Sequence, residues 1–135
     1  MSLADLQNRL KNFGIAPTRQ RLEVAQILLE KPQHLSADQI LAILRRKDSS
    51  VSKATVYNTL HLFGEKGLVR ELHVDSSRTF YDSTTHPHHH FYHVQSGELS
   101  DIPASQVRLV NLPPLPPGTR QDAIEVLIKI RDKKK

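Results

Sequence analysis

Residues 86–93 read His-Pro-His-His-His-Phe-Tyr-His and place five imidazoles within eight positions. A neutral imidazole offers a nitrogen lone pair, and alternate side chains of an extended strand share a face. His88 and His90 therefore converge while His89 points the other way. Carboxylates stand on both sides: Asp82 lies six residues before His88 and Asp101 eleven after His90. His34 is far upstream and joins such a shell only through the fold. Nitrogen and carboxylate donors without a thiolate suit Fe(II), Mn(II) or Zn(II) better than a soft metal. The chemistry on offer is metal ligation. A solvated histidine loop is the bland alternative, and the flanking carboxylates weigh against it. An open coordination position would also suit activation of water, so a metal-dependent hydrolase is a second reading, although no general base or substrate pocket stands out.

The elements that must position these groups are short. With 135 residues the chain buries one moderate core or two small ones, and two small ones call for a partner to cover apolar surface, so a homodimer is expected. The net charge is +5 with neutral histidines, and residues 133–135 are all lysine, which makes nucleic acid the natural acidic partner. There is no cysteine. That excludes a disulfide framework, thiol redox chemistry and a cysteine-ligated structural zinc. Asp5 and Arg9 interrupt the apolar positions of the N-terminus, and no apolar run approaches the ~20 residues of a membrane span, so the expectation is a soluble, cytoplasmic protein without membrane attachment.

Leu3, Leu6, Leu10 and Phe13 recur at helical spacing up to Gly14. After Pro17 and Thr18, a second helix carries Leu22, Ala25, Leu28 and Leu29 on its apolar side. Arg19 and Arg21 fall in its first turn, where the helix dipole disfavours cations; the choice is between an outside partner such as phosphate and plain solvent. Ser36 and Gln39 form a capping box for a third helix to about Arg46, with Ile40, Ile43 and Leu44 inward and His34 on an exposed connection before it. Ser52 caps a fourth helix that turns Val56, Leu60 and Phe63 to one side. Lys53, Thr55, Tyr57, Asn58 and His61 occupy its other faces, and hydroxyl, amide and ammonium groups near a helix N-terminus suit base edges and phosphates in a major groove.

Gly67 ends that helix, residues 68–74 and 78–81 read as strands, and residues 75–77 read as their turn. Helices followed by a hairpin make a winged helix-turn-helix. Beyond a hinge at residues 84–87, strand candidates are 90–94, 99–102, 107–112 and 123–130, broken by Gly97, Pro103 and the proline-rich run 113–118. Ile124, Val126, Ile128 and Ile130 alternate with Glu125, Leu127, Lys129 and Arg131 and specify an apolar inner face. So small a sheet leaves faces and edges for a second copy to cover. The fold class is α+β, with a winged helix-turn-helix at residues 1–83 and a small α/β dimerisation and metal-sensing domain at residues 88–135.

Gly-Ile-Ala-Pro-Thr-Arg-Gln-Arg at 14–21, His-Leu-Ser-Ala-Asp-Gln-Ile at 34–40, Ser-Lys-Ala-Thr-Val-Tyr-Asn-Thr-Leu at 52–60, Gly-Leu-Val at 67–69, and Phe-Tyr-Asp followed by the histidine triplet span nearly the whole chain. This order of parts resembles the ferric uptake regulator family. The resemblance implies a homodimeric DNA-binding transcriptional regulator, typically a repressor of iron homeostasis or peroxide stress genes. Its operator would be palindromic and A/T-rich, and it would be controlled by Fe(II) or Mn(II) at the domain junction, with Zn(II) able to substitute in vitro.

Carried over, the regulatory ligands are His34, Asp82, His88, His90 and Asp101. Aspartate at 82 is similar to the peroxide-sensing branch. Tyr57 and Asn58 match base-contacting positions and Arg19 a backbone contact; Arg21, Ser52, Lys53 and Thr55 complete the expected DNA-binding set. His93 and Ser96 stand where many members have the first cysteine pair of a structural zinc site, which is absent here. The missing thiols, the histidine triplet and the proline-rich run resemble the iron response regulators, which implies haem as an alternative signal with His88, His89, His90 or His93 as axial ligand. The family's dimer-domain helix is shortened or lost around residues 112–118. Its further sheet-domain metal site is unmatched, with His89 as its only remnant, read as a solvated side chain.

Overall fold

The computed structural model describes residues 1–85 and 88–134. The chain divides into two compact units, Met1–Thr85 and His86–Lys135. His86 and Pro87 of the expected hinge lie outside the described residues.

In the first unit four helices form where apolar spacing and a capping residue coincide: α1 (Leu3–Asn12), α2 (Arg19–Leu28), α3 (Ala37–Arg46) and α4 (Lys53–Glu65). Ser2, Thr18, Ser36 and Ser52 each accept a backbone N–H of the first turn, and at Ser36 the box is reciprocal: Gln39 N–H donates to Ser36 Oγ at 3.2 Å and Ser36 N–H to Gln39 Oε1 at 2.8 Å. Ser36→Ala is expected to cost about 1 kcal/mol, read as a shift of the urea midpoint with unchanged slope.

Helix α4 stops at a Schellman closure. Gly67, at φ +80°, donates to Gly64 O, and Leu68 N–H donates to Phe63 O. Leu6, Leu10, Val24, Leu28, Ile40, Leu44, Val56, Leu60 and Phe63 pack into one core, whereas Ile43, expected inward, is only half-buried.

The sheet of this unit has the order β1-β3-β2, from β1 (His34–Ser36), β2 (Arg70–Asp75) and β3 (Arg78–Asp82), all antiparallel. His34 is thus not on an exposed connection. It is half-buried in a strand held by β3, and Gln33 and Ser83 extend the pairing, with Gln33 N–H to Ser83 Oγ and Ser83 N–H to Gln33 O both at 3.0 Å. A three-residue strand has no alternation to read; its long-range pairing creates it. The β2–β3 hairpin forms the wing, with Ser77 N–H and Oγ–H both donating to Asp75 Oδ1 at 2.8 Å across its turn.

In the second unit β5 (Leu99–Ile102) pairs antiparallel and β6 (Leu127–Ile130) pairs parallel with the central β4 (His89–His93). Among the described residues of this unit the helical contribution is a single 3-10 turn, Ala104–Gln106. Two expectations are corrected. Residues 107–112 form no strand, because β5 and β6 occupy both edges of β4 and leave Leu109, Val110 and Leu112 exposed. The last strand covers only Leu127–Ile130, and its apolar row is not an inner face: Ile128 is 40 % and Ile130 37 % exposed, with Phe91, in register with Ile128, at 37 %. No helix or second sheet of the unit lies over that row among the described residues. No helix among the described residues is long and apolar enough to cross a membrane.

Candidate functional site

Strand geometry brings the candidate metal ligands of the second unit together as alternation requires. His88 directly precedes β4 and His90 lies within it; their rings stand 4.5 Å apart at 61°. Asp101 on β5 is the register partner of His90. Its Oδ1 lies 3.3 Å from His90 Nε2 and 3.5 Å from His88 Nε2. Neighbouring donors around a tetrahedral ion with bonds of 2.0–2.1 Å are roughly 3.3–3.4 Å apart, so this trio already has the edges of a coordination polyhedron. Both imidazoles are buried while Asp101 is 55 % exposed, which sets a dry nitrogen pair behind a carboxylate mouth. Ligand atoms of the three lie within 4.8 Å of one another. The donor set fits a borderline or hard divalent ion: Fe(II), Mn(II) or Zn(II).

In the first unit His34 and Asp82 are register partners on β1 and β3, so their side chains share one face. Asp82 is buried and accepts the Thr84 N–H at 2.8 Å. His34 meets the Phe80 ring edge-on, with centroids 6.3 Å apart. Arg70 pairs with Asp82 from the other side, a neighbour that sequence reading missed because the β2–β3 register is not visible in it.

The remaining histidines of the motif have other work. His89 is 6 % exposed and not solvated; its Nδ1 accepts the Val126 N–H at 2.9 Å from beside β6. His93 has both ring nitrogens engaged: Nε2 stands 2.9 Å from Asp132 Oδ1, and Nδ1 accepts the Ser96 N–H at 3.1 Å with Ser96 Oγ at 3.0 Å. Where thiolates were expected to be missing, a hydrogen-bonded clasp ties the β4–β5 turn to the chain after β6.

The exposed side of α4 carries Lys53, Tyr57 and Asn58. Lys53 Nζ is 5.8 Å from the centre of the Tyr57 ring, and the Tyr57 hydroxyl donates to Asp38 Oδ1 at 3.1 Å. Slight desolvation first, and then this carboxylate, hold the Tyr57 phenol above its ordinary range. Asp38 is a second residue that sequence reasoning missed, since nothing local links α3 to α4. Ser52 and Thr55 use their hydroxyls on the cap, Oγ to Oγ1 at 2.9 Å, which leaves them less for a partner. Arg19 is exposed; Arg21 donates Nη1 to Ala16 O at 3.0 Å and, with Thr55 and Asn58, lines a polar hollow of about 250 Å³ between α2 and α4.

A family model described as the Ferric uptake regulator family matches residues 12–111. The chain belongs to the ferric uptake regulator family. Two curated relatives are each named Peroxide-responsive repressor PerR. The one from Staphylococcus saprophyticus is 34 % identical over 100 residues, 74 % of this chain and 68 % of that protein. The one from Staphylococcus epidermidis is 33 % identical over 93 residues, 69 % of this chain and 62 % of that protein. The chain therefore spans about two thirds of the length of the curated relatives it matches. A solved ferric uptake regulator from Pseudomonas aeruginosa, with manganese, matches the fold at TM-score 0.72 and 24 % identity, over 95 % of this chain and 98 % of that one. Membership places the chain among metal-responsive transcriptional regulators.

Proposed function

We propose that this ferric uptake regulator homologue is a dimeric repressor whose two units share one Fe(II) or Mn(II) ion through His34 and Asp82 on one side and His88, His90 and Asp101 on the other. The observation that carries it is the His88–His90–Asp101 trio, with both buried Nε2 atoms within 3.5 Å of one carboxylate oxygen. His34 and Asp82 present a matching nitrogen and oxygen on one sheet face, and His88 follows Asp82 by only six positions. When bound, the ion supplies a common point of attachment for these donors. Ligands drawn from both units favour the arrangement in which they converge, and that arrangement sets the spacing of two α4 helices in a dimer. Lys53, Tyr57, Asn58 and Arg19 then read a palindromic, A/T-rich operator, Tyr57 from a ring held by Asp38. Peroxide is favoured over haem as the signal, because His89 and His93 are committed within the sheet unit. Titrating the metal-free protein with Fe(II), Mn(II), Zn(II) and haem against a labelled duplex, followed by anisotropy, tests this reading. Salt-sensitive binding that appears with Mn(II) or Fe(II), and is lost to peroxide only with Fe(II), supports it. Binding indifferent to metal sinks it.

The dimer partner covers the Phe91, Ile128 and Ile130 row. Ile128→Asp is expected to give monomers by sedimentation and operator affinity at least tenfold weaker, since a charge at a dry apolar interface is strongly disfavoured. A stable dimer in this variant would place the interface elsewhere.

A further inference from the structure

The first unit holds a hollow of about 470 Å³ that the metal-centred account leaves unused. Three helices wall it: Leu3 and Leu6 come from α1, Leu22 and Ile27 from α2, and Leu44 from α3. Leu6, Ile27 and Leu44 are buried core side chains, whereas Leu3 is 60 % exposed, an apolar lip left in water. Small-molecule sites occupy roughly 300–1,000 Å³, are mostly apolar, and carry a few polar groups that fix orientation. Here the polar groups are chiefly cationic. Arg19 in the first turn of α2 and Lys47 at the C-cap of α3 both line the hollow, and neither has an ion-pair partner among the described residues. The carboxylate of the lining, Glu23, is engaged already, since it accepts the Ser49 hydroxyl at 3.2 Å. The described apolar lining is wholly aliphatic, which suits a flexible hydrocarbon chain better than an aromatic ring that gains from stacking.

We propose that this hollow binds an aliphatic monocarboxylate of medium chain length, its tail on the leucines and isoleucine and its headgroup paired with Arg19 and Lys47. Arg19 is also among the groups proposed to read the operator, so headgroup and DNA phosphate compete for one guanidinium. By linkage each weakens the binding of the other by the same factor. That competition rests on the operator reading; the binding of the carboxylate does not.

The test is a titration of the metal-free full-length protein with decanoate, well below micelle formation, followed by the methyl resonances of Leu6, Leu22, Ile27 and Leu44. These are expected to shift together in one saturating step that weakens about two- to fourfold for each methylene removed toward hexanoate. The step should weaken about tenfold with 1-decanol, which keeps the tail and lacks the charge, and about tenfold in Lys47→Gln. Lys47 is exposed and outside the core, so this variant keeps the fold. Shifts that do not saturate, or equal shifts at the exposed Ile128 and Ile130, would mark a general affinity for apolar surface and overturn the proposal. Equal binding of decanol, or an unchanged step in Lys47→Gln, would overturn it as well. Decanoate is further expected to lower operator affinity, with saturating Mn(II) or without it, in step with its occupancy. Occupancy that leaves operator affinity unmoved would overturn the competition, and with it the role given to Arg19, while the carboxylate site stands.

Discussion

Replacing His88 and His90 together by alanine is expected to lower metal-dependent operator affinity about a hundredfold, which corresponds to roughly 3 kcal/mol. The pair supplies both buried nitrogens facing Asp101, so its removal leaves a single exposed carboxylate in the second unit's share of the site. Residual affinity should equal that of the metal-free protein, because the groups of α2 and α4 proposed to face DNA are untouched. The first unit should stay folded: its core draws only on residues from Leu6 to Tyr81. Anisotropy with and without Mn(II) reads the first expectation, and thermal unfolding of the helical unit reads the second. Undiminished metal dependence would remove both histidines from the switch.

Phe63→Ala is expected to have the opposite profile. Phe63 is fully buried on α4 at the helix end closed by Gly67 and Leu68, and deleting a buried phenylalanine costs about 3–5 kcal/mol. Against a total stability of about 5–15 kcal/mol, that leaves the winged helix marginal. DNA binding should fail with or without metal, while His88, His90 and Asp101 still take up an ion in a unit that shares none of this core. Urea titration by circular dichroism measures the loss. A cost under about 1 kcal/mol would show that α4 is held by something other than this core.

The four helices were legible because their signals are local: Ser36 with Gln39, Ser52 before Val56, and Gly67 at positive φ all act within one turn of the residues they organise. His88 and His90 were legible for the same reason, since alternation along one strand is enough to aim them together. What failed depends on pairing across distance. Strand β1 exists only because Leu35 meets Tyr81, and His89 is buried only because Val126 returns to it across 37 residues. The 123–130 pattern correctly marked an apolar row, but a pattern cannot say whether its cover lies in the same chain, and here Ile128 and Ile130 stay exposed. Residues 107–112 have the composition of a strand but no edge of β4 left to join. Arg70 beside Asp82 and Asp38 beneath Tyr57 are likewise products of register and helix packing.

The absence of cysteine makes the decisive measurement direct, because a single Lys66→Cys substitution at the exposed end of α4 gives one unique spin label per subunit. Pulsed dipolar spectroscopy on the dimer, without metal and then with diamagnetic Zn(II), reports the separation of the two recognition helices. A broad distribution that narrows and shifts on adding the ion, and does neither in the H88A/H90A variant, is the predicted result. An identical distribution with and without the ion would contradict the idea that one shared ion sets how these helices stand on DNA.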